Sequence, residues 1–407
     1  MHADLIIVGA GMVGSTLALA LADSGLDVLL LEGGSLDVQP FDKESLFEPR
    51  VSALSEASRR ILDHLGAWQG ITQRRATPYH AMHVWDGSGT GHIHFDAASV
   101  HAPVLGHIVE NRVVQEALLE QLHQRGVRRR ENASVEQLRR SQEAGGWRLT
   151  LADGQTVSAS LVIAADGARS RIRQLAGCET REWDYFHHAI VTSVRCEKPH
   201  QATAWQRFTD DGPLAFLPLE RGDGEHWCSI VWSCTPPEAE RLMALSDTDF
   251  LRALEQAFEA RLGRVLHSDP RHCIPLRQRH AKRYVEHGLA LIGDAAHVIH
   301  PLAGQGVNLG FLDAATLADV LLHAHARGED IASLRVLGRY ERRRMPHNLS
   351  MMAAMESFER LFQANDLCVR WLRNTGLRLM NQHWLAKGVF VRQALGLSGD
   401  LPPLARA

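Results

Sequence analysis

No sign of charge dominates this chain. Its 407 residues carry 47 acidic and 44 basic side chains, a formal charge of −3, so no global field points toward nucleic acid. Two short basic clusters, Arg128-Arg129-Arg130 and Arg342-Arg343-Arg344, read as solvated helix or turn faces. Cysteine is scarce and scattered: Cys178, Cys196, Cys228, Cys234, Cys273 and Cys368 include no Cys-x-x-Cys pair. That spacing argues against a disulfide framework or a zinc site and fits reduced thiols in a cytoplasmic protein. Histidine is plentiful at 23, yet His187-His188 and the His92/His94 pair lack a convincing set of partner ligands, so no metal is expected. Uninterrupted apolar runs are missing too, and none reaches the roughly 18 residues of a membrane span. The apolar stretch from Leu5 to Ala22 lacks a basic leader, carries Asp4 before it and is broken by three glycines, unlike a signal peptide. There is no internal repeat or low-complexity segment, and no Ser-His-Asp or Cys-His set stands out.

What remains is an ordinary globular composition, 45% hydrophobic and 22% charged, in a chain long enough for two domains or one large composite. Leu5-Ile6-Ile7-Val8 reads as a buried parallel strand. Gly9-Ala10-Gly11-Met12-Val13-Gly14 follows, then a helix to about Ser24 stopped by Gly25, then the strand Val28 to Glu32. Parallel neighbours need such a crossover, so this is a βαβ unit. Asn111 is placed to cap a helix through Arg125, with Val114, Ala117, Leu118 and Leu122 on one face. Leu161 to Ala165 is a further buried strand ending at Asp166-Gly167. Between Ala189 and Trp232 the texture changes to short β-rich runs (Ala189 to Val194, Thr203 to Phe208, Leu214 to Leu219, Trp227 to Trp232) separated by Gly, Pro and Asp. That predicts an antiparallel sheet. A helix is expected from about Asp249 to Leu262. Beyond Asp313 the chain reads as helical, with breaks near Pro346, Gly376 and Gly388, and the Leu385 to Leu397 stretch reads as a packing helix or, alternatively, as a membrane-contacting or partner-binding face.

Gly9, Gly11 and Gly14 form G-x-G-x-x-G between a strand and a helix, with Glu32 about 20 residues on, the dinucleotide-binding pattern. The glycines allow a tight turn, backbone approach to a pyrophosphate and close helix–strand packing. The helix N-terminus offers free N–H groups to phosphate, and Glu32 is placed to accept from ribose hydroxyls. This pattern does not separate NAD from FAD. Later, the apolar run Leu289 to Ile292 ends at Gly293-Asp294, and His300-Pro301-Leu302-Ala303-Gly304-Gln305-Gly306-Val307-Asn308 leads on to Asp313. A strand, a carboxylate, then a Pro/Gly loop opening a helix is a way to hold a ribityl chain and a flavin ring. Asp294 could equally cap a helix, and Asp166-Gly167 could be a strand-end turn.

The run from His300 to Asp313 resembles the signature of the ubiquinone-biosynthesis aromatic hydroxylases, flavin monooxygenases similar to para-hydroxybenzoate hydroxylase. The resemblance extends along nearly the whole chain, through Tyr79 to Asp86, Gly106 to Asn111, Trp183 to Ala189 and Gly396 to Pro402. Within the family these outer motifs resemble the bacterial branch that hydroxylates ring carbon 5 of a 2-polyprenylphenol; sister branches act at carbon 1 or carbon 6. The resemblance implies an α/β fold: a Rossmann-like FAD-binding domain interleaved with an antiparallel-sheet substrate domain and a helical C-terminus. The expected segments are 1–78, 109–180 and 276–345 for FAD, 79–108 and 181–275 for substrate, and 346–407 for the C-terminal helices.

The same resemblance assigns FAD contacts to Gly293 and Asp294 (ribityl), to Pro301, Gly304, Gln305, Gly306 and Asn308 beside the ring, and to Asp166 and Gly167 with Arg169 and Arg171 following. Arg50 and Arg112 match positions that often meet the cofactor. It implies O₂ as co-substrate, a flavin C4a-hydroperoxide as reagent, and NAD(P)H or an external carrier as a visiting reductant, since there is no second nucleotide-binding fingerprint. No group is named for the substrate's phenolic proton; His300, Pro301, His187 and Tyr185 are the candidates. An apolar tunnel for the prenyl tail is expected beside the antiparallel sheet, near Trp205, Phe208, Leu214, Phe216 and Leu217. Expected partners are a polyprenylated phenol, a ubiquinone-biosynthesis complex, a second copy of the chain and the inner face of the membrane, with the protein otherwise cytoplasmic. A flavin-dependent prenyl reductase shares the FAD frame. A non-catalytic prenyl-binding subunit would have no need of Glu32, Asp166, Asp294 and the glycine loop.

Overall fold

The computed structural model describes residues 2–87, 91–141, 146–299, 306–363 and 395–406. Aliphatic runs bounded by glycine and aspartate build its first layer. Strands β1 (His2–Val8), β2 (Val28–Leu31), β11 (Thr156–Ala164) and β19 (Leu289–Leu291) lie parallel. Leu5 sits between Val28 and Leu161, and Val162 beside Leu289. With both faces covered, such strands carry near-continuous apolar sequence. The sheet runs β18 (Val285–Glu286), β19, β11, β1, β2, β8 (Arg129–Arg130), and β9 (Val135–Arg140) and β10 (Trp147–Leu151) extend β11 antiparallel. Helix α1 (Met12–Ala20) makes the crossover, four residues shorter than the run to Ser24.

The second, nine-stranded sheet holds the runs read between Ala189 and Trp232. Its order is β20 (His297–Val298), β17 (His272–Ala281), β12 (Thr180–Cys196), β15 (His226–Cys234), β14 (Gly212–Leu219), β13 (Thr203–Thr209), β5 (Ala81–Asp86), β6 (His92–Asp96), with β16 (Val265–Ser268) on β12. It is not wholly antiparallel: β13 and β5 pair in parallel, Thr203 beside Ala81. That pairing brings the segment after Tyr79 into the sheet. Strand β12 starts well before Ala189 because its first half pairs with β17, with a bulge at Tyr185-Phe186. Strand β17 itself spans the 275/276 boundary. A small sheet, β3 (Val51–Leu54), β7 (Gly106–Glu110) and β4 (Thr77–Tyr79), bridges the two.

One face of the large sheet is closed by α6 (Pro236–Ala244) and α7 (Asp247–Ala257). Helix α7 ends before the expected Leu262 because Glu259 and Ala260 adopt left-handed φ of 57° and 49°. Side chains alternate across a strand, so even-numbered residues, Ile190, Leu214, Phe216, Ile230 and Trp232, pack on Phe250, Leu254 and Phe258. Odd-numbered residues of β12, β14 and β15, together with even-numbered ones of β13 and β17 that pair beside them, face the other way.

Helices α2 (Glu56–His64), α3 (Ala67–Arg74), α4 (Asn111–Gln124) and α5 (Arg171–Leu175) fill the gaps around the first sheet. Asn111 is the first residue of α4 rather than its cap: Glu110 holds the cap position, and the Asn111 side-chain oxygen accepts from the Ser52 hydroxyl at 2.6 Å. Helix α8 (Gly306–Ala326) is long and apolar enough to cross a membrane, but 78% of that stretch is buried in the fold. It packs on α1 so closely that a Cβ on Gly310 would lie 2.6 Å from Val13. Helix α9 (Leu334–Gln363) runs straight through Pro346, where a break was expected. Arg344 and Asn348, flanking the proline, both bond Asp313 of α8, and these anchors hold the helix across the missing N–H. Gly376, Gly388 and most of the Leu385 to Leu397 stretch lie outside the described residues.

Candidate active site

A cavity of about 790 Å³ lies between the carboxyl ends of the first sheet and the face of the second sheet turned away from α6 and α7. The first sheet contributes the turns that follow β1 (Gly11, Met12), β11 (Gly167, Arg169) and β19 (Ile292, Asp294). Open α/β sheets place ligands outside their strands' carboxyl ends. The second sheet contributes a floor of small apolar side chains, among them Ala189, Val191, Ala215, Val231 and Ile274.

The three glycines serve different ends. A Cβ on Gly9, whose φ is +102°, would lie 2.5 Å from the Ala165 carbonyl oxygen, and one on Gly14 would lie 1.9 Å from that of Gly9. Both are required by the protein's own packing. A Cβ on Gly11 would meet nothing within 4 Å; it precedes α1 without any side-chain cap, leaving N–H groups directed outward. Glu32, at the end of β2, accepts from Ala10 N–H at 2.7 Å and Gly34 N–H at 3.0 Å, so its carboxylate is fixed at the mouth of the same turn.

Asp294 lines the cavity, and its carboxylate makes no hydrogen bond among the described residues. Burial pushes its pKa up, with His297 and Arg50 pulling the other way. It does not cap a helix: the one-turn element Gly293–Ala295 starts from Ile292. Gly293 has φ of +57° and donates its N–H to Asp313 at 3.1 Å.

Asp166 behaves differently. Its carboxylate accepts from the Ser170 hydroxyl at 2.5 Å and from Arg171 N–H and Ile172 N–H at 2.6 and 3.1 Å. It shapes the turn that carries Gly167 and Arg169 to the cavity wall.

Arg50 lines the cavity as well, whereas Arg112 does not: its guanidinium bonds Glu116 at 2.7 Å. Gly306 and Val307 open α8 against the cavity. Asn308 is buried and directed elsewhere, donating to Ala53 O at 2.8 Å and accepting from Ser55 N–H and the Ser58 hydroxyl at 3.0 and 2.7 Å. It ties α8 to α2 and β3. His300, Pro301, Gly304 and Gln305 lie outside the described residues.

The substrate expectations need correction. Trp205, Leu214 and Phe216 point to the helix-covered face, against Phe258 and its neighbours. Phe208 packs with Val84 and Ile93. Of the five, only Leu217 lines the cavity. Large aromatic runs flag a strand, but its period of two decides which half of them meets a ligand. His187 and Tyr185 are not among the lining residues either. The His187 ring nitrogens lie 2.7 Å from the Tyr185 carbonyl and 3.1 Å from that of Asp211, and the Tyr185 hydroxyl bonds Gln278.

The chain is similar to known proteins along its length. The family model described as FAD binding domain matches residues 2–355. The 3-demethoxyubiquinol 3-hydroxylase of Escherichia coli is 40% identical over 97% of this chain and 98% of its own. The mitochondrial ubiquinone biosynthesis monooxygenase COQ6 of Xenopus tropicalis is 36% identical over 93% and 90%, and the ubiquinone hydroxylase UbiL of Rhodospirillum rubrum 37% over 98% and 92%. This chain belongs to the FAD-dependent hydroxylases of ubiquinone biosynthesis. In fold it matches the p-nitrophenol 4-monooxygenase of Pseudomonas putida, with a TM-score of 0.77, 22% identity and 98% of each chain covered. It also matches a probable FAD-dependent monooxygenase of Pseudomonas aeruginosa, with 0.75, 23%, and 93% and 100% covered.

FAD fits the residues present. The open space over Gly11 and the uncapped start of α1 suit a pyrophosphate, Glu32 a ribose, and the unpartnered Asp294 carboxylate the ribityl hydroxyls. The start of α8 faces the cavity, and a helix N-terminus favours nearby negative charge by roughly 0.3–2 kcal/mol.

The hydroxylase signature hides one group that sequence reasoning passed over. Asp313 is fully buried, with His297 at 2.6 Å, Arg344 at 2.7 Å and Asn348 at 3.1 Å. Asn348 also reaches the Tyr284 hydroxyl at 3.3 Å. Burial alone would raise the Asp313 pKa, but His297 and Arg344 hold it well below the carboxylate range. The signal was an acid in the apolar first half of a helix, which demands a buried partner.

Proposed function

We propose that this chain hydroxylates the aromatic ring of a polyprenylated phenol, a 2-polyprenylphenol at ring carbon 5, with NAD(P)H as a visiting reductant. The observation that carries the reading is the cavity floor. Where the flavin side is polar, the sheet side presents Ala189, Val191, Ala215, Leu217, Val231 and Ile274. Burying one CH₂ yields about 0.8 kcal/mol, so an isoprene unit leaving water gains roughly 3–4 kcal/mol on such a surface. Motifs outside the cofactor site, Trp183 to Ala189 and Gly396 to Pro402, support the carbon 5 branch.

Bound FAD supplies the oxygen-transfer chemistry, using O₂ and two electrons from the reductant. The chain's own part is to bind, orient and keep dry. The flat floor holds the ring against the flavin side, and the apolar walls exclude water that would divert the reaction. Among the described residues lining the cavity the ionisable side chains are Arg50, Arg169, Arg277, Arg279 and Asp294, so no imidazole or tyrosine there takes the phenolic proton.

The tail would leave past Ile274 toward the edge of the sheet. There Trp183 and Phe186 of β12 stand 45% and 74% exposed, Trp183 beside Gln278 and Phe186 in the bulge between Asp184, paired with Arg277, and His187, paired with Leu276. This edge is the proposed contact with the membrane that holds the substrate, or with a partner of the same pathway.

The Escherichia coli relative favours a second reading, hydroxylation of 3-demethoxyubiquinol. Flavin-loaded protein incubated with a short-tailed 2-prenylphenol, NAD(P)H and ¹⁸O₂ separates the two by mass spectrometry. One ¹⁸O ortho to the phenol hydroxyl and away from the tail is the expected product. Oxygenation only of a 3-demethoxyubiquinol analogue would replace the first reading by the second.

A further inference from the structure

Among the described residues on the sheet side of the cavity, only two lining side chains are polar and uncharged: Gln206 of β13 and Ser233 of β15. The arginines there, Arg277 and Arg279, stand at the edge and face carboxylates, Asp184 at 3.7 Å and Glu182 at 2.6 Å. Gln206 lies beside Ala215, which lies beside Val231; Ser233 lies beside Ala189. Both therefore rise from an apolar surface of small side chains. Ser233 is 2% exposed, and neither side chain has a hydrogen-bond partner among the described residues. Elsewhere in this sheet the buried Thr192 hydroxyl is spent on the fold, donating to Asp269 O at 2.8 Å, while the Ser193 hydroxyl is also buried without a partner among the described residues but does not line the cavity. A polar group in an apolar wall that serves nothing in the protein is placed to serve a ligand.

We infer that the Gln206 amide recognises the phenolic oxygen on the ring of the substrate, with the Ser233 hydroxyl a second polar contact to that ring, and that the ring they select is a neutral phenol rather than a carboxylated one. The inference rests on the aromatic-hydroxylase reading above. An amide can accept from a phenolic O–H and donate to its oxygen at once, so Gln206 takes the phenol hydroxyl. The Ser233 hydroxyl, two strands away, meets a second ring position. A benzoate would need an unpaired cation on this floor, and the described floor has none. Fixing the ring by its oxygen decides which carbon faces the flavin, so both are positioning residues that set where the oxygen goes.

The test titrates flavin-loaded wild type, Gln206→Met, Gln206→Asn and Ser233→Ala with a short-tailed 2-prenylphenol and with a 3-prenyl-4-hydroxybenzoate, following flavin absorbance. Product position and the fraction of NAD(P)H oxidised without hydroxylation are read in parallel. Wild type should bind the phenol at least about 10-fold more tightly than the benzoate. Gln206→Met, nearly isosteric, should bind the phenol about 10-fold or more weakly with FAD content and Tm unchanged, and Gln206→Asn should recover part of that loss. Ser233→Ala should keep most of the affinity but hydroxylate less selectively or release more unused reducing equivalents. Equal phenol binding by wild type and Gln206→Met overturns the inference while leaving the hydroxylase reading intact, as does equal binding of the benzoate. Failure of wild type to bind or oxidise any phenol overturns both.

Discussion

Gly11 and Gly14 stand three positions apart in one motif, yet the chain needs them for opposite reasons. A Cβ at Gly14 would sit 1.9 Å from a backbone oxygen, whereas at Gly11 it would meet nothing within 4 Å. Gly14→Ala should therefore fail at folding, with little soluble protein recovered. Gly11→Ala should fold with a Tm within a few degrees of wild type, its φ of −65° being ordinary for alanine, but should bind FAD at least about 10-fold more weakly because the methyl occupies the ligand's space. Thermal melts of the apoproteins and FAD titration by fluorescence quenching distinguish the two; a Gly11→Ala protein of undiminished affinity would remove the turn from the cofactor site. Asp294 belongs with Gly11. Its carboxylate has no partner among the described residues, so Asp294→Ala should shed FAD while the apoprotein keeps its fold. Both glycines were legible in the sequence as a motif, but the division of labour between them was not, since it depends on Ala165 and Gly9 backbone positions set by sheet pairing.

Alternation along a strand decides more about this site than any residue's character does. Phe216 and Ala215 are neighbours, one packed on Phe258 with ring centroids 3.7 Å apart and the other at the cavity. Phe216→Ala should cost about 3–5 kcal/mol of stability, while Ala215→Phe should cost far less and block the ring substrate. Urea midpoints and substrate titration of the two variants check this, and a reversal of the two effects would mean that the cavity opens on the other face. The sequence marked Trp205, Leu214 and Phe216 because large apolar residues draw the eye. The cavity face is small and apolar and carries no such flag, for a surface that must admit a ring cannot fill its own space. The Asp313 cluster is the matching case among helices. Helix α8 reads as an apolar element with an acid, Asp313, in its buried first half, and the partners that make it tolerable come from α9 and β20. Asp313→Ala should leave His297 and Arg344 buried without their counter-charge, at about 3–5 kcal/mol, and should loosen the Gly293 turn that presents Asp294. Lower stability with unchanged FAD affinity would separate the cluster from the cofactor site.

The interleaving of the two sheets, visible in the sequence as a change of texture, leaves histidines buried at distant points of one molecule. His83 lies near one end of the large sheet, His280 near the other, and His107 in the small sheet between. Burial pushes all three from an ordinary 6.5 down to about 4. A histidine whose folded pKa is depressed binds its proton later in the folded chain than in the unfolded one. Its contribution to stability is whole above about pH 6.5 and is lost as pH falls toward 4. For His280, 2% exposed, the loss is at most about 1.4 kcal/mol per pH unit; His83 and His107, only partly buried, contribute less. Asp313 stays ionised through this window, so the network around α8 is not what fails. Half-buried Glu48 and buried Glu110 shift the other way, raised by desolvation. They take up protons earlier in the folded chain and oppose the histidines near the bottom of the window. The expected result is a Tm nearly flat from pH 8 to 6.5 that falls between pH 6.5 and 5, with a shallower fall in a His280→Gln variant. Because the cavity lies between the sheets, bound FAD should leave together with the loss of ellipticity rather than before it. If the slope below pH 6.5 were the same in His280→Gln, the acid sensitivity would have to come from groups other than this imidazole.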